Sequence, residues 1–159
     1  MRTAEFPPIE GLIPHRGDSL LLDCVLEHDD ESTSARVVVG ASRCLEKADG
    51  TIAAWAALEY MSQCVAAHEN LLAPDDGSSR IPGYLTAVVG LRLHRSHFEA
   101  GERLRVRTRR TRGRLGLGAF SHFCTIHLEG ETGEEDLLAE GRLTISIPRA
   151  ARNFAPVAS

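Results

Sequence analysis

The sequence predicts an α+β fold in which an antiparallel sheet curls around one long helix. Three observations predict it. Residues 53–72, AAWAALEYMSQCVAAHENLL, are apolar or small at nearly every position up to Ala67, and a helix that is apolar almost all round belongs inside a fold. Residues 102–110 alternate: Arg103, Arg105, Arg107 and Arg109 face one way, while Leu104, Val106 and Thr108 face the other. That is the period-2 pattern of a half-buried strand. After residue 82 the chain reads as strands and turns only, which gives the helix a meander to pack on.

Residues 1–18 carry Pro7, Pro8 and Pro14 with Gly11 and Gly17; they read as an irregular lead-in with one helical turn around Ile9 to Leu12. Ser19 to Glu27, SLLLDCVLE, is apolar and compatible with a strand. A polar turn at residues 28–32 and a second strand at Thr33 to Val39 complete a hairpin. Residues 40–52 form a loop before the helix at Ala53 to Leu72. Residues 74–82, PDDGSSRIP, are turn-rich. Further strands are expected at Gly83 to Leu93, Glu102 to Arg110, Leu117 to Leu128 and Leu137 to Ile147. Turns separate the last three at Arg112 to Gly116 and Gly130 to Glu135, and residues 149–159 read as a flexible tail. The whole span of 1–159 reads as one domain.

Composition narrows the function. The chain is 43% hydrophobic and 25% charged, as a globular protein is. A net charge of −4 argues against nucleic acid and anionic membrane as partners. Glu59, Gln63 and His68 break the best apolar run, so no membrane span is expected. The first residues lack the apolar core of a signal peptide, so a cytoplasmic protein is expected. Cys24, Cys44, Cys64 and Cys124 contain no CxxC pair and read as apolar residues of a reducing compartment.

The anomaly is Glu59. It and Gln63 are four apart, so they share one helix face. A carboxylate on an apolar helix is costly unless it is paired, neutralised or used. Burial would disfavour its charged form, and a protonated carboxyl is what a general acid requires. A structural carboxylate bonded to Gln63 or to backbone fits the same residues.

Several motifs then resemble one family. Ile13-Pro14-His15-Arg16 followed by Leu20-Leu21-Leu22-Asp23, the helix core Leu58-Glu59-Tyr60-Met61-Ser62-Gln63, Gly83-Tyr84-Leu85, Gly101-Glu102-Arg103-Leu104 and Gly113 to Phe120 resemble, in order and spacing, the FabZ-type 3-hydroxyacyl-[acyl carrier protein] dehydratases. The variant is similar to the ApeP-like dehydratase subunits of aryl polyene pathways. The resemblance implies a hotdog fold and work as a homodimer or as a heterodimer with another hotdog subunit. It also implies an acyl carrier protein as partner and dehydration of a 3-hydroxyacyl thioester with no cofactor. Glu59 falls on the family's general acid. The family's base is a His in a Gly/Pro-rich loop before the helix, and here residues 44–51, CLEKADGT, hold no His.

The remaining candidates follow from these two readings. His15 is the best base within the chain, or else the base comes from a partner subunit; pinning the N-terminal segment is the structural alternative. Gln63, Tyr84 and Trp55 are candidate substrate-side residues, with packing as the alternative for each. Backbone N–H groups near Ile52 to Ala54 would polarise the thioester carbonyl. Residues 103–114 hold seven Arg and no acid; Arg103, Arg105, Arg107 and Arg109 are the candidate dock for an acidic carrier protein, or simply a solvated face. His68, about 13 Å along the axis from Glu59, is expected to be a cation favoured by the helix C-terminus. His122 and Cys124 share a strand face that His127 does not, so no metal is assigned. A non-catalytic hotdog partner and an acyl thioesterase remain the alternatives to the dehydratase.

Overall fold

The computed structural model describes residues 6–42, 44–73, 83–114, 118–130 and 135–146. The expected connection at 74–82, most of the turn at 130–135 and the tail at 149–159 lie outside these residues. The chain begins with a one-turn helix α1 (Ile9–Leu12). The hairpin β1 (Cys24–His28) and β2 (Ser32–Val38) follows, and then a short β3 (Ile52–Ala53). A 3-10 turn over Ala54–Ala56 leads into α2 (Ala57–Leu72). The strands after it are β4 (Tyr84–Leu93), β5 (His97–Phe98), β6 (Arg103–Arg114), β7 (Ala119–Glu129) and β8 (Glu135–Ser146). Six of them form one antiparallel sheet in the order β1-β2-β6-β7-β8-β4. The expected hotdog architecture, a sheet wrapped on one long helix, is present.

The alternation in β6 places the helix. Leu104, Val106 and Thr108 are buried, and α2 lies on the face they make with β2 and β7. Met61, Cys64, Val65 and Ala67 fill that contact from the helix side. Each large side chain so buried contributes about 1.5–3 kcal/mol. The helix stops at Ala73, which turns extended in front of Pro74, as the residue before a proline tends to. The other end of the sheet is bare. Strand β4 is an edge strand, and residues 83–90 are all exposed.

Three local expectations change. The strand expected from Ser19 begins only at Cys24, because a 3-10 turn at Gly17–Ser19 intervenes and the Leu21 N–H is taken by Gln63 rather than by the sheet. The loop at 40–52 ends in β3, which pairs Ile52 with Phe98 and Ala53 with His97 in a separate ribbon that fixes the start of the helix. Two-residue strands carry no periodic signal, so this ribbon was not legible. Strand β6 runs on through the expected turn at Arg112 to Arg114. There Gly113 adopts φ +72 opposite Phe120, a backbone conformation that a side chain disfavours.

A Cβ on Gly113 would also collide with the Ala119 carbonyl oxygen. We therefore expect Gly113→Ala to destabilise the protein by about 1–3 kcal/mol, read by urea denaturation. An unchanged midpoint would show that the backbone of β6 around Gly113 relaxes freely.

Candidate active site

The site is built by the lead-in and the first turns of α2. Ile9, Leu12 and Ile13 are buried and anchor the lead-in to the core. Ile13 is extended, the conformation Pro14 demands of the residue before it. His15 follows, half-buried. The chain then turns back through Gly17, at φ +55, and Gln63 holds the returning segment. This fully buried carboxamide accepts from Leu21 N–H at 3.0 Å and donates to the Ser19 carbonyl at 2.8 Å. Its other N–H donates to Glu59 Oε1 at 2.9 Å. The same carboxylate oxygen lies 3.4 Å from His15 Nε2. Two residues 44 apart in sequence thus meet, and Gln63 ties both to one frame.

Glu59 is not buried, contrary to the expectation from the sequence. Its side chain keeps 43% of its exposure and that of His15 keeps 31%, so the carboxylate is open to solvent rather than sunk in the core. Trp55 is not core either: it is 59% exposed, one helical turn before Glu59. Tyr84 is 57% exposed at the start of the edge strand, and among the described residues no hydrogen bond or ring contact joins it to Glu59. The Ala54 N–H, a candidate carbonyl polariser, is taken by the Ser96 carbonyl at 3.1 Å. The 3-10 turn has no side-chain N-cap, and the Ala57 N–H returns to the Ala54 carbonyl, so Trp55 and Ala56 carry the next N–H groups in line.

The arginine stripe lies on the outer face of the sheet, away from the helix. Its charge is partly met across strands: Arg103 lies 3.7 Å from Glu129, and Arg105 lies 3.4 Å from Glu27 and 3.6 Å from Glu129. The run without acids in sequence therefore has acids beside it in space.

A second polar cluster, at the other end of α2, was missed. Glu69 accepts from Arg110 Nε and Nη2 at 2.7–3.1 Å and from His122 Nε2 at 2.9 Å. His122 Nδ1 meets Thr108 Oγ1, and His68 Nδ1 meets Thr33 Oγ1, both at 2.9 Å. The ligand atoms of His68, Glu69 and His122 lie within 4.8 Å of one another, but Arg110 already occupies the position a cation would need on Glu69. The signal was available: Arg110 sits in the inward phase of β6 with Leu104, Val106 and Thr108, so it needs a buried acid. His68 is not the cation expected at a helix C-terminus. It is fully buried, and burial, helped by the nearby His122, pushes its pKa down to about 4. Burial also pushes the Glu69 carboxyl up, but the hydrogen bonds from His122 and Arg110 outweigh it and hold the group below the usual carboxylate value.

A six-stranded antiparallel sheet on one long helix defines a hotdog-fold protein, here with a helix-borne carboxylate 3.4 Å from a histidine. The profile of the ApeP-like family, described as ApeP dehydratase, matches residues 7–156. The chain belongs to that dehydratase family. Among solved structures it is similar to the dehydratase heterocomplex ApeI:P from Xenorhabdus doucetiae, with a TM-score of 0.79 and 21% identity over 94% of this chain and 96% of that one. It is also similar to a mutant of the phenylacetic acid degradation protein PaaI from Thermus thermophilus, with a TM-score of 0.57 and 16% identity over 82% and 96% of the two chains. A hypothetical thioesterase with coenzyme A from Streptococcus pneumoniae gives 0.55 and 10% identity over 78% and 84%. No curated protein matches the chain. Among the described residues no helix is long and apolar enough to cross a membrane.

The second cluster sets a pH dependence. The unfolded chain protonates His68 near its ordinary value of about 6.5, the folded chain only near 4. Stability is therefore full above about 6.5 and falls as pH drops towards 4, by about 3 kcal/mol in total. Glu69 acts in the same direction at lower pH, losing its contribution as pH falls from the usual carboxylate value through its own lowered one. Denaturation at pH 7.5, 6 and 4.5 should show this decline, with a shallower slope in His68→Gln. A stability curve flat from pH 7.5 to 4.5 would contradict it.

Proposed function

We propose that this chain is a 3-hydroxyacyl-thioester dehydratase subunit that works on carrier-protein-bound acyl groups, in an aryl polyene or fatty-acid-like pathway, beside a second hotdog subunit. The observation that carries the reading is the 3.4 Å approach of His15 Nε2 to Glu59 Oε1. Dehydration needs a base for the α-proton and an acid for the departing β-hydroxyl. His15 takes the α-proton as the C–H bond breaks. Glu59 gives its proton to the hydroxyl as the C–O bond breaks, which leaves an enoyl thioester and water. The proton then sits on His15 and the negative charge on Glu59. At 3.4 Å the pair lies just beyond hydrogen-bond length, so a small closing motion or a bridging water returns the proton to Glu59 for the next turn.

The loop at 44–51 lacks the family histidine, and a lead-in histidine from the same chain compensates for it. N–H groups of the 3-10 turn at Trp55 and Ala56 polarise the thioester carbonyl, with the dipole of α2 behind them. Two exposed features support a second subunit: Trp55, one turn before Glu59, and the uncovered edge strand β4. Large exposed apolar side chains and a long free strand edge mark surfaces for association. An acidic carrier protein would be recognised at the Arg109 end of the outer stripe, because Arg103 and Arg105 already face Glu129 and Glu27.

Incubation with a 3-hydroxyacyl carrier-protein thioester, alone and with a second hotdog subunit, tests the proposal. We expect enoyl product, and a fall in rate of about 10²–10⁴-fold in Glu59→Gln. No enoyl product in either mixture, or a fully active Glu59→Gln, would overturn it. Release of free thiol instead would establish a thioesterase.

A further inference from the structure

We propose that Arg16 is a positioning residue that aims His15 at Glu59; the proposal rests on the acid–base role given to that pair above. The His15 ring has little of its own to orient it. Its Nδ1 is buried and has no hydrogen-bond partner among the described residues, while its Nε2 faces the carboxylate. A ring without a partner on its far side is aimed by its backbone. That backbone is held by Arg16.

The guanidinium of Arg16 folds back over its own loop. Nη1 donates to the Ile13 carbonyl at 2.7 Å and to the His15 carbonyl at 2.6 Å. Those two carbonyls bracket Pro14 and His15. Between them the proline ring fixes φ of residue 14, so the bracketed segment has few torsions left. Upstream the bracket is anchored by Ile13, which is fully buried. Downstream, the Arg16 N–H donates to Ser19 Oγ at 3.1 Å, and that hydroxyl donates to the Arg16 carbonyl at 2.8 Å. The Ser19 carbonyl in turn accepts from Gln63, the residue that holds Glu59. Arg16 therefore closes a path from the acid, through Gln63 and Ser19, to the backbone of the base. Charge-assisted hydrogen bonds of this length are the strong kind, and catalytic rates are sensitive to small errors in the position of a reacting group.

The role is separable from folding. Arg16 lies on an exposed turn, so its removal disturbs no core packing. The test uses the full chain with its second subunit and two readouts. The first is the NMR cross-relaxation between His15 ring protons and the side chains of Glu59 and Gln63, which needs no turnover. The second is the split between kcat and KM. In Arg16→Gln we expect the His15–Glu59 contacts to vanish while the Leu21–Gln63 contact and the melting temperature hold. We also expect kcat to fall about tenfold and KM to stay within about twofold. Arg16→Lys, which keeps a cationic donor, should restore part of both. Should Arg16→Gln fold poorly, Ser19→Ala loosens the same bracket from its other end and should weaken the same contacts.

Retained His15–Glu59 contacts with unchanged kcat in Arg16→Gln would overturn the proposal. So would a wild-type protein in which those contacts are never seen. A wild type that shows the contacts but dehydrates no thioester would instead sink the proposed function, and the contact measurement would still decide the role of Arg16.

Discussion

The carboxamide of Gln63 is the interaction on which the site depends. It is buried on α2 and uses its oxygen and both N–H groups: Leu21 N–H, the Ser19 carbonyl and Glu59 Oε1. Such a group has one orientation that satisfies every partner. A flipped amide would set two oxygens or two N–H groups against each other. This one side chain therefore sets where the lead-in crosses the helix and where the Glu59 carboxylate points. It also explains why the sequence between Ser19 and Asp23, apolar enough for a strand, leaves the sheet instead.

The two ends of α2 solve the same problem differently. At its C-terminal end, Glu69 is buried and satisfied by Arg110 and His122, with every donor supplied by the same chain. That arrangement is costly to assemble and costly to break, so it fixes the helix register on the sheet. At its N-terminal end, Glu59 is left half-exposed with one histidine and one amide beside it. A carboxylate held but not saturated can still move a proton. The edge strand β4 and Trp55 stand uncovered.

The fold was largely legible. Period 2 in β6 and an apolar helix dictated the sheet and what it wraps, and Glu59, Gln63 and His15 stood out as polar residues in apolar or proline-rich settings. What failed depended on information that one strand or helix does not hold. The apolarity of residues 53–67 reports that a face avoids water but not which chain covers it, so Glu59 was placed in the core. The arginine stripe looked unopposed because Glu27 and Glu129 reach it only through strand register. His68 was assigned by its distance along the helix, although its neighbours Thr33 and His122 come from β2 and β7. The Gln63–Ser19 bond, which links the pair, joins residues 44 apart and leaves no local pattern.

In the proposed mechanism, base and acid come from one chain and act on different bonds. Solvent deuterium exchange at the α-carbon of an acyl carrier-protein thioester tests it most directly, because exchange needs the base but not the departure of the hydroxyl. With the assembled protein in D2O, the account predicts exchange that survives Glu59→Gln and is lost in His15→Asn. Exchange that persists in His15→Asn would place the base elsewhere and contradict it.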